Sequence, residues 1–161
     1  MKSFKTWQLI VGLVLIVGGT VLFIMGVSGV FNTPKAVIDA DYSCNDGCDW
    51  EFMELEPQNY ENLIKEKKSF VVFVDQGGCT TADRVEEYIT EFGKKNNFKV
   101  FKIMFEDMKE TSLHDSVKYY PSVAVISKGK VIKWLRADED EDSDMYNNYD
   151  AFEKWMQKYL K

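Results

Sequence analysis

Cysteine, proline and histidine are scarce in this sequence, which holds three, three and one of them in 161 residues. Three cysteines are too few for a small domain stabilised mainly by disulfides. Few prolines together with 14% aromatic residues exclude a disordered chain. Positive charge is also short, with 20 Lys and Arg against 26 acids, so the chain lacks the basic surface that a nucleic-acid binder needs.

Charge is absent between Lys5 and Lys35, and the 25 residues 7–31 form an apolar run. About 20 such residues span the hydrocarbon core of a bilayer. A cleaved signal peptide is the alternative, but its apolar stretch would be shorter and followed by an A-x-A-like site, which is missing here. Lys2 and Lys5 precede the run and only Lys35 closely follows it, which favours an N-terminus in the cytoplasm.

We therefore expect a single-pass protein of the cell membrane. Residues 1–6 are predicted to be cytoplasmic, residues 7–31 to form a transmembrane helix in contact with lipid, and the remainder to lie outside the cell. Residues 34–161 hold all 26 acids and 18 of the Lys and Arg, a formal net charge of −8. Residues 32–50 are typical of a linker, and their Cys-Asn-Asp-Gly-Cys run from Cys44 to Cys48 is turn-forming.

Strand and helix periods alternate in the order βαβαβαββα over the remaining residues, 51–161. This order predicts crossover units and a central sheet covered by helices on both faces, with a final hairpin that makes the sheet mixed. Gly93 is expected to end the second helix, and Asp150 with Glu153 to form a capping box. The predicted strands are 50–55, 70–74, 98–105, 122–127 and 131–135. The first predicted helix begins at Pro57, and the other three cover 79–93, 109–120 and 148–160.

Three features of this region resemble the thioredoxin superfamily. A buried strand runs through Gln-Gly-Gly into Cys79 at a helix start; Tyr120-Pro121-Ser122 enters the next buried strand; a Lys-Gly-Lys hairpin and an amphipathic helix follow. The resemblance implies an α/β fold with a mixed sheet flanked by helices. It also implies that Cys79 is the nucleophile and Pro121 a cis-proline facing it.

The sequence departs from the superfamily pattern at three positions. The C-x-x-C motif is Cys79-Thr80-Thr81-Ala82, so the second cysteine is missing. Gly78 occupies the position that is often tryptophan. Phe73 stands where many members place a buried carboxylate.

Chemistry at this site would depend on a thiolate, which the unpaired N–H groups of a helix N-terminus stabilise. The hydroxyls of Thr80 and Thr81 could donate hydrogen bonds to it, and Tyr120 would flank the groove beside Pro121. Such a thiolate could attack a disulfide, but no neighbouring thiol would resolve the adduct. We therefore expect monothiol exchange on thiol or extended polypeptide substrates, with a redox-inactive binding or assembly module as the alternative. In the second case Cys79 is only a small packed residue.

The other cysteines allow three interpretations. Cys44 and Cys48 form a structural clip, or act as a second redox pair that resolves the adduct, or one of them bonds Cys79. Zinc ligation is disfavoured because only these two are spaced like a zinc knuckle. The acidic run 138–144 fails the calcium-loop pattern and is predicted to be a solvated loop. His114 is expected on a helix surface, and neither a metal nor a cofactor is expected.

Overall fold

The computed structural model describes residues 33–44 and 48–161, and only these are discussed in structural terms. The predicted cytoplasmic residues 1–6 and the predicted transmembrane helix over 7–31 lie outside the described residues. Across the described ranges, no helix combines the length and the apolar character that crossing a membrane requires.

A mixed five-stranded sheet forms the centre of the described domain, in the order β1-β3-β2-β4-β5. β1, β3 and β2 are parallel, whereas β4 runs antiparallel to both β2 and β5. The turn that joins β4 to β5 is the predicted hairpin, with positive φ at Lys128 and Gly129. The strands are β1 (Met53–Glu54), β2 (Phe70–Asp75), β3 (Phe101–Met104), β4 (Ser122–Ser127) and β5 (Lys130–Trp134).

Helices cover both faces of this sheet, and every residue of β2 is consequently buried. Three 3₁₀ turns accompany them in the described ranges, at Ala40–Tyr42, Ser112–Asp115 and Asp140–Asp142. The helices are α1 (Pro57–Lys65), α2 (Thr80–Lys95), α3 (Phe105–Met108), α4 (Ser143–Asn147) and α5 (Tyr149–Tyr159).

Alternate residues of β2 face opposite layers, as the two-residue period of a strand requires. Val71 and Phe73 pack against the apolar faces of α2 and α5. Phe70, Val72 and Val74 pack on the other side, against α1, α3 and the turn at Ser112–Asp115. β2 therefore contributes side chains to both cores. This explains why its sequence is continuously apolar and lacks the alternation of a half-exposed strand.

The segment 33–44 lies against the domain. Ala36 is fully buried, and its backbone bonds Tyr159 and Lys161 at 2.8 and 3.0 Å. The Tyr42 ring makes edge contacts with Phe70 and Phe101. This part of the predicted linker therefore contributes directly to the core.

The helix predicted over 109–120 is wrong. Leu113 and Val117 are fully buried as their spacing predicted, but only the short turn Ser112–Asp115 forms. The Thr111 hydroxyl donates to the Met108 carbonyl and accepts the amide of Leu113, which ends one turn and begins the next. Pro121 also disfavours helical geometry at the residue before it.

Two smaller predictions about helix ends are also wrong. Asn148, rather than an Asp150–Glu153 capping box, caps α5 by accepting the amides of Asp150 and Ala151. α2 continues past Gly93 to Lys95. The role of Gly93 is close packing, because a Cβ there would lie 2.6 Å from Cζ2 of Trp50.

The acidic run 138–144 is largely helical instead of a loop, although most of its residues are exposed to solvent as predicted. It contains the 3₁₀ turn Asp140–Asp142 and the start of α4. The Arg136 guanidinium pairs with Glu139 and lies 3.9 Å from Asp138. The Arg136 amide donates to the buried carboxylate of Asp142 at 2.8 Å. These contacts offset part of the acidic charge and let the chain turn.

Replacing Gly93 with alanine is expected to destabilise the domain by about 1–3 kcal/mol through overpacking. Exposed glycines in helices show the opposite, a gain of about 1 kcal/mol on the same substitution. Urea unfolding measures the difference, and Thr90→Ala, one turn earlier in α2, is the matched control. A gain in stability for Gly93→Ala would show that Trp50 does not pack against this helix.

Candidate functional site

The antiparallel pairing of β2 with β4 brings the end of one strand beside the start of the other. Val74 is the partner of Ser122, so Asp75 and Pro121 lie at the same edge of the sheet. Parallel pairing with β3 adds Met104, the partner of Asp75. Cys79 follows Asp75 by four residues, a reach of at most about 14 Å.

Cys79 immediately precedes α2, at the position where the first helical amides have no partners within the helix. The side chain is half-buried and carries a free thiol. Two consecutive positive φ angles, 67° at Gly77 and 61° at Gly78, shape the loop that leads to it. Glycine suits both positions because other residues are strained there.

The Tyr120–Pro121 peptide is cis, in agreement with the resemblance to the thioredoxin superfamily. Pro121 itself is buried. The half-buried ring of Tyr120 stacks on Phe105 with 4.6 Å between ring centroids, and Lys109 Nζ lies 4.6 Å from the Phe105 centroid. The Tyr120–Pro121 corner is therefore bordered by this stacked aromatic pair, with the Lys109 ammonium over one of its rings.

The segment that carries the acidic run forms the other border. Tyr146 of α4 donates a hydrogen bond from its phenol to the Pro121 carbonyl at 2.9 Å. Arg84 of α2 donates to Oδ1 of Asn147 at 2.6 Å. A cleft of about 230 Å³ separates this segment from the start of α2, and Thr81 is one of its lining residues. Thr80, beside it, is exposed.

An ion triad with one buried member, Asp75, and two half-buried partners lies beside the loop that carries Cys79. Lys102 of β3 contacts the carboxylates of Asp75 and Glu86 at 2.9 Å each. The other oxygen of Asp75 accepts the amide of Gly77 at 2.9 Å. Asp75 therefore links the sheet edge to the glycine loop, and through Lys102 to α2.

Two opposing effects set the pKa of the Asp75 carboxyl. Burial alone would raise it, but the Gly77 amide and the Lys102 ammonium outweigh burial and hold the pKa below its usual value. At Lys102, burial acts to lower the pKa, but Glu86 and Asp75 together raise it. Both groups are consequently charged at neutral pH.

Cys44 and Cys48 are joined by a disulfide, with 5.6 Å between their Cα atoms. This pairing agrees with the clip interpretation and leaves Cys79 unbonded. The amide of Cys44 donates to the carbonyl of Asn97 at 2.7 Å, and Trp50 Nε1 donates to the carbonyl of Phe98 at 2.8 Å. The disulfide is therefore held at the C-terminal end of α2.

The length of α2 separates this disulfide from Cys79. The helix has 16 residues, which at 1.5 Å per residue span about 24 Å. Cys79 precedes its first residue, whereas Cys44 bonds the turn that follows its last. Cys44 and Cys48 therefore cannot resolve an adduct on Cys79 of the same chain while this fold persists.

Ala82, where the resemblance would place a second cysteine, lies in the first turn of α2 and is 1% exposed. Within the described ranges, no group of three or more His, Cys, Asp and Glu side chains is arranged to hold a metal ion. His114 is half-buried in the turn Ser112–Asp115, on the side of the sheet opposite α2.

Sequence reasoning missed the residues that support the site. Asp75 is an acid that ends a fully apolar strand, and Lys102 is a cation in a strand whose neighbours are buried, so each carried a signal as an isolated charge. Arg84 and Tyr146 carried no such signal, because their contacts join segments that are 62 residues apart.

Replacing Lys102 with methionine is expected to lower the free energy of unfolding at pH 7 by about 2 kcal/mol, because the Asp75 carboxylate stays buried without its cation. The lowered pKa of Asp75 stabilises the fold above the unfolded value of about 3.9, and this contribution is lost as the pH falls through the folded value. The deficit of the variant should therefore shrink at acidic pH. Urea unfolding from pH 7 to pH 3 measures it.

The matched control is Lys95→Met, which removes a surface pair with Glu153. This control should change stability much less and show little dependence on pH. Equal deficits in the two variants, or a Lys102→Met deficit that grows in acid, would contradict the assignment of Asp75 as a charged buried group.

No protein-family model matches this sequence, and no curated protein matches it. Several solved structures, by contrast, are similar to this chain. The oxidised thioredoxin of Plasmodium falciparum aligns over 67% of this chain and 97% of its own, with 14% identity and a TM-score of 0.52. The J-Trx1 fragment of ERdj5 aligns over 66% of this chain and 50% of its own, with 14% identity and a TM-score of 0.48. Trxlp from Edwardsiella tarda EIB202 aligns over 58% and 94%, with 16% identity and a TM-score of 0.43.

The alignment with the Plasmodium falciparum thioredoxin, at a TM-score of 0.52, supports a thioredoxin-like fold. At 14% identity the likeness concerns the fold alone. The mixed sheet with helices on both faces is the architecture that the sequence predicted, and the described domain has a thioredoxin-like fold.

Proposed function

We propose that this protein carries out monothiol thiol–disulfide exchange through Cys79. The observation that carries the proposal is the arrangement at one end of the sheet: a free, half-buried thiol at the start of α2, four residues beyond β2, and the cis Tyr120–Pro121 peptide just before the neighbouring strand β4. Amides at a helix start stabilise a sulfur anion. A proline offers no N–H, which leaves room for an extended substrate at this corner.

The reaction would proceed by two exchanges. The Cys79 thiolate attacks one sulfur of a substrate disulfide, so that a Cys79–substrate bond forms, the substrate S–S bond breaks, and the leaving thiolate takes a proton from water. A second thiolate then attacks the mixed disulfide and releases Cys79. That thiolate comes from the substrate, which gives isomerisation, or from an external thiol.

The missing second cysteine is what makes the proposed reaction monothiol. Ala82 cannot attack the mixed disulfide, and the two other cysteines are bridged at the far end of α2. The adduct would therefore wait for a thiol from outside the chain. This favours isomerisation, or exchange with small thiols, over cycles of reduction.

We further propose that the domain works at the outer surface of the cell membrane. The apolar run 7–31 and the lysines before it support an anchor with the N-terminus in the cytoplasm. The Cys44–Cys48 disulfide supports the same location, because such bonds persist in oxidising compartments.

A redox-inactive binding or assembly module is the second candidate. Ala82 favours it, because a dithiol enzyme would need a second cysteine at this position and a binding domain would not. Tyr119, 53% exposed next to the Tyr120–Pro121 corner, also favours it, because an exposed aromatic ring provides contact area for a partner chain. In this function the surface around the Tyr120–Pro121 corner would bind a partner chain, and Cys79 would take no part in thiol–disulfide exchange.

Cys79→Ser is expected to abolish mixed-disulfide formation with a model peptide disulfide. The experiment uses the full-length chain in detergent, and mass spectrometry detects the adduct. Cys44→Ser/Cys48→Ser is the control, and it should react at the wild-type rate. Wild-type protein that forms no adduct and alkylates no faster than an unstructured cysteine peptide would favour the binding module.

Ala82→Cys is expected to convert the site into a dithiol that releases a bound peptide within the same chain. With a peptide that carries a single cysteine, the wild-type adduct should persist until an external thiol is added, because no second cysteine thiol is near. Ala82→Ser, which adds a hydroxyl instead of a thiol, should retain the adduct like the wild type. Release of peptide from wild-type protein without added thiol would contradict the separation of Cys79 from Cys44 and Cys48.

A further inference from the structure

Tyr146 connects two parts of the candidate site that are distant in sequence. The side chain is 6% exposed, and its phenol donates to the carbonyl of Pro121 at 2.9 Å. Burial, with a smaller contribution from Asp142 and Asp138, raises the pKa of this phenol, so it remains a donor at neutral pH. The hydrogen bond holds the proline corner from the side opposite the Phe105–Tyr120 stack.

The short helix α4 that carries Tyr146 is itself held by α2. Arg84, five residues after Cys79, donates to Oδ1 of Asn147 at 2.6 Å and to the carbonyl of Tyr146 at 3.2 Å. The C-terminal residues of α4 therefore bond both α2, through Arg84, and the carbonyl of Pro121. We call the contacts among Arg84, Tyr146, Asn147 and Pro121 the brace.

We propose that Tyr146 is a positioning residue that sets where Pro121 stands relative to Cys79. The proposal rests on the proposed exchange function. Ser122 is the last residue of β4 that pairs with β2, so sheet pairing fixes its backbone but does not reach Pro121. The brace supplies the restraint at that point. An extended substrate must meet the corner and the sulfur together, whereas a small alkylating reagent needs only the sulfur.

Tyr146→Phe tests the proposal, because it removes the donor and keeps the ring. We expect about a five- to tenfold loss in the rate of mixed-disulfide formation with a peptide disulfide, the effect of one hydrogen bond. Alkylation of Cys79 by iodoacetamide should change by less than about twofold. The matched control is Tyr60→Phe, which removes another buried phenol on the opposite face of the sheet.

The control separates positioning from general stability. Tyr60→Phe should lower the urea midpoint and leave the peptide reaction at the wild-type rate. Arg84→Ala, which breaks the other end of the brace, should slow the peptide reaction like Tyr146→Phe, and the double variant should be no slower than either. A wild-type peptide rate in Tyr146→Phe, or equal slowing in Tyr60→Phe, would overturn the proposal.

Failure of the proposed function would be seen separately, as wild-type protein that forms no peptide adduct. Hydrogen exchange at the amides of Tyr120 and Ser122 then decides the positioning role. Faster exchange there in Tyr146→Phe than in Tyr60→Phe supports the brace, and equal exchange in the two variants overturns it.

Discussion

The antiparallel pairing of β2 with β4 is the constraint on which the rest of the structure depends. β2 is buried on both faces, so its register cannot slip by one residue without turning Phe73 and Val74 to the wrong layers. With that register fixed, the end of β2 and the start of β4 must share an edge. The thiol and the proline corner are brought to the same end of the sheet, because Cys79 follows β2 by four residues and Pro121 directly precedes β4.

Several weaker contacts then position the residues at this edge. The glycine loop turns the chain into α2, and Asp75 holds that loop by accepting the Gly77 amide. Lys102 joins Asp75 to Glu86 of the same helix. Together they leave the Cys79 thiol half-exposed at the helix start, with the other two cysteine sulfurs beyond the far end of α2. One free sulfur can form a mixed disulfide but cannot complete a dithiol cycle, and this restricts the chemistry that the fold can support.

Elements governed by local patterns were predictable from the sequence. The continuous apolar run of β2, the apolar stripe of α2 and the Lys-Gly-Lys turn each specify one structure, and the Tyr-Pro pair marked the corner. Prediction failed where a local side-chain hydrogen bond competes with the apolar pattern. The apolar spacing at Leu113 and Val117 suited a helix, but the Thr111 hydroxyl divides that stretch into short turns.

Most of the contacts that support the site were beyond sequence reasoning, because they join segments far apart in sequence. The triad draws on β2, β3 and α2, and the Tyr146 contact joins the acidic run to Pro121, so neither exists until the chain has folded. Cysteine pairing also depends on folding, since only the length of α2 separates the clip from the thiol. An acidic run with one arginine nearby gave no indication that it would bond the proline corner.

The central claim, that the sulfur of Cys79 lies beside the Tyr120–Pro121 corner, can be measured directly. With the other two cysteines bridged, a nitroxide label attaches to Cys79 without any substitution. Paramagnetic broadening of amide resonances in the full-length chain then reports distance from the label. We predict strong broadening at Tyr120, Ser122 and Tyr146 and much weaker broadening at Asn97 and Phe98. Comparable broadening at both ends of α2, or sharp signals at Tyr120 and Ser122, would contradict the account.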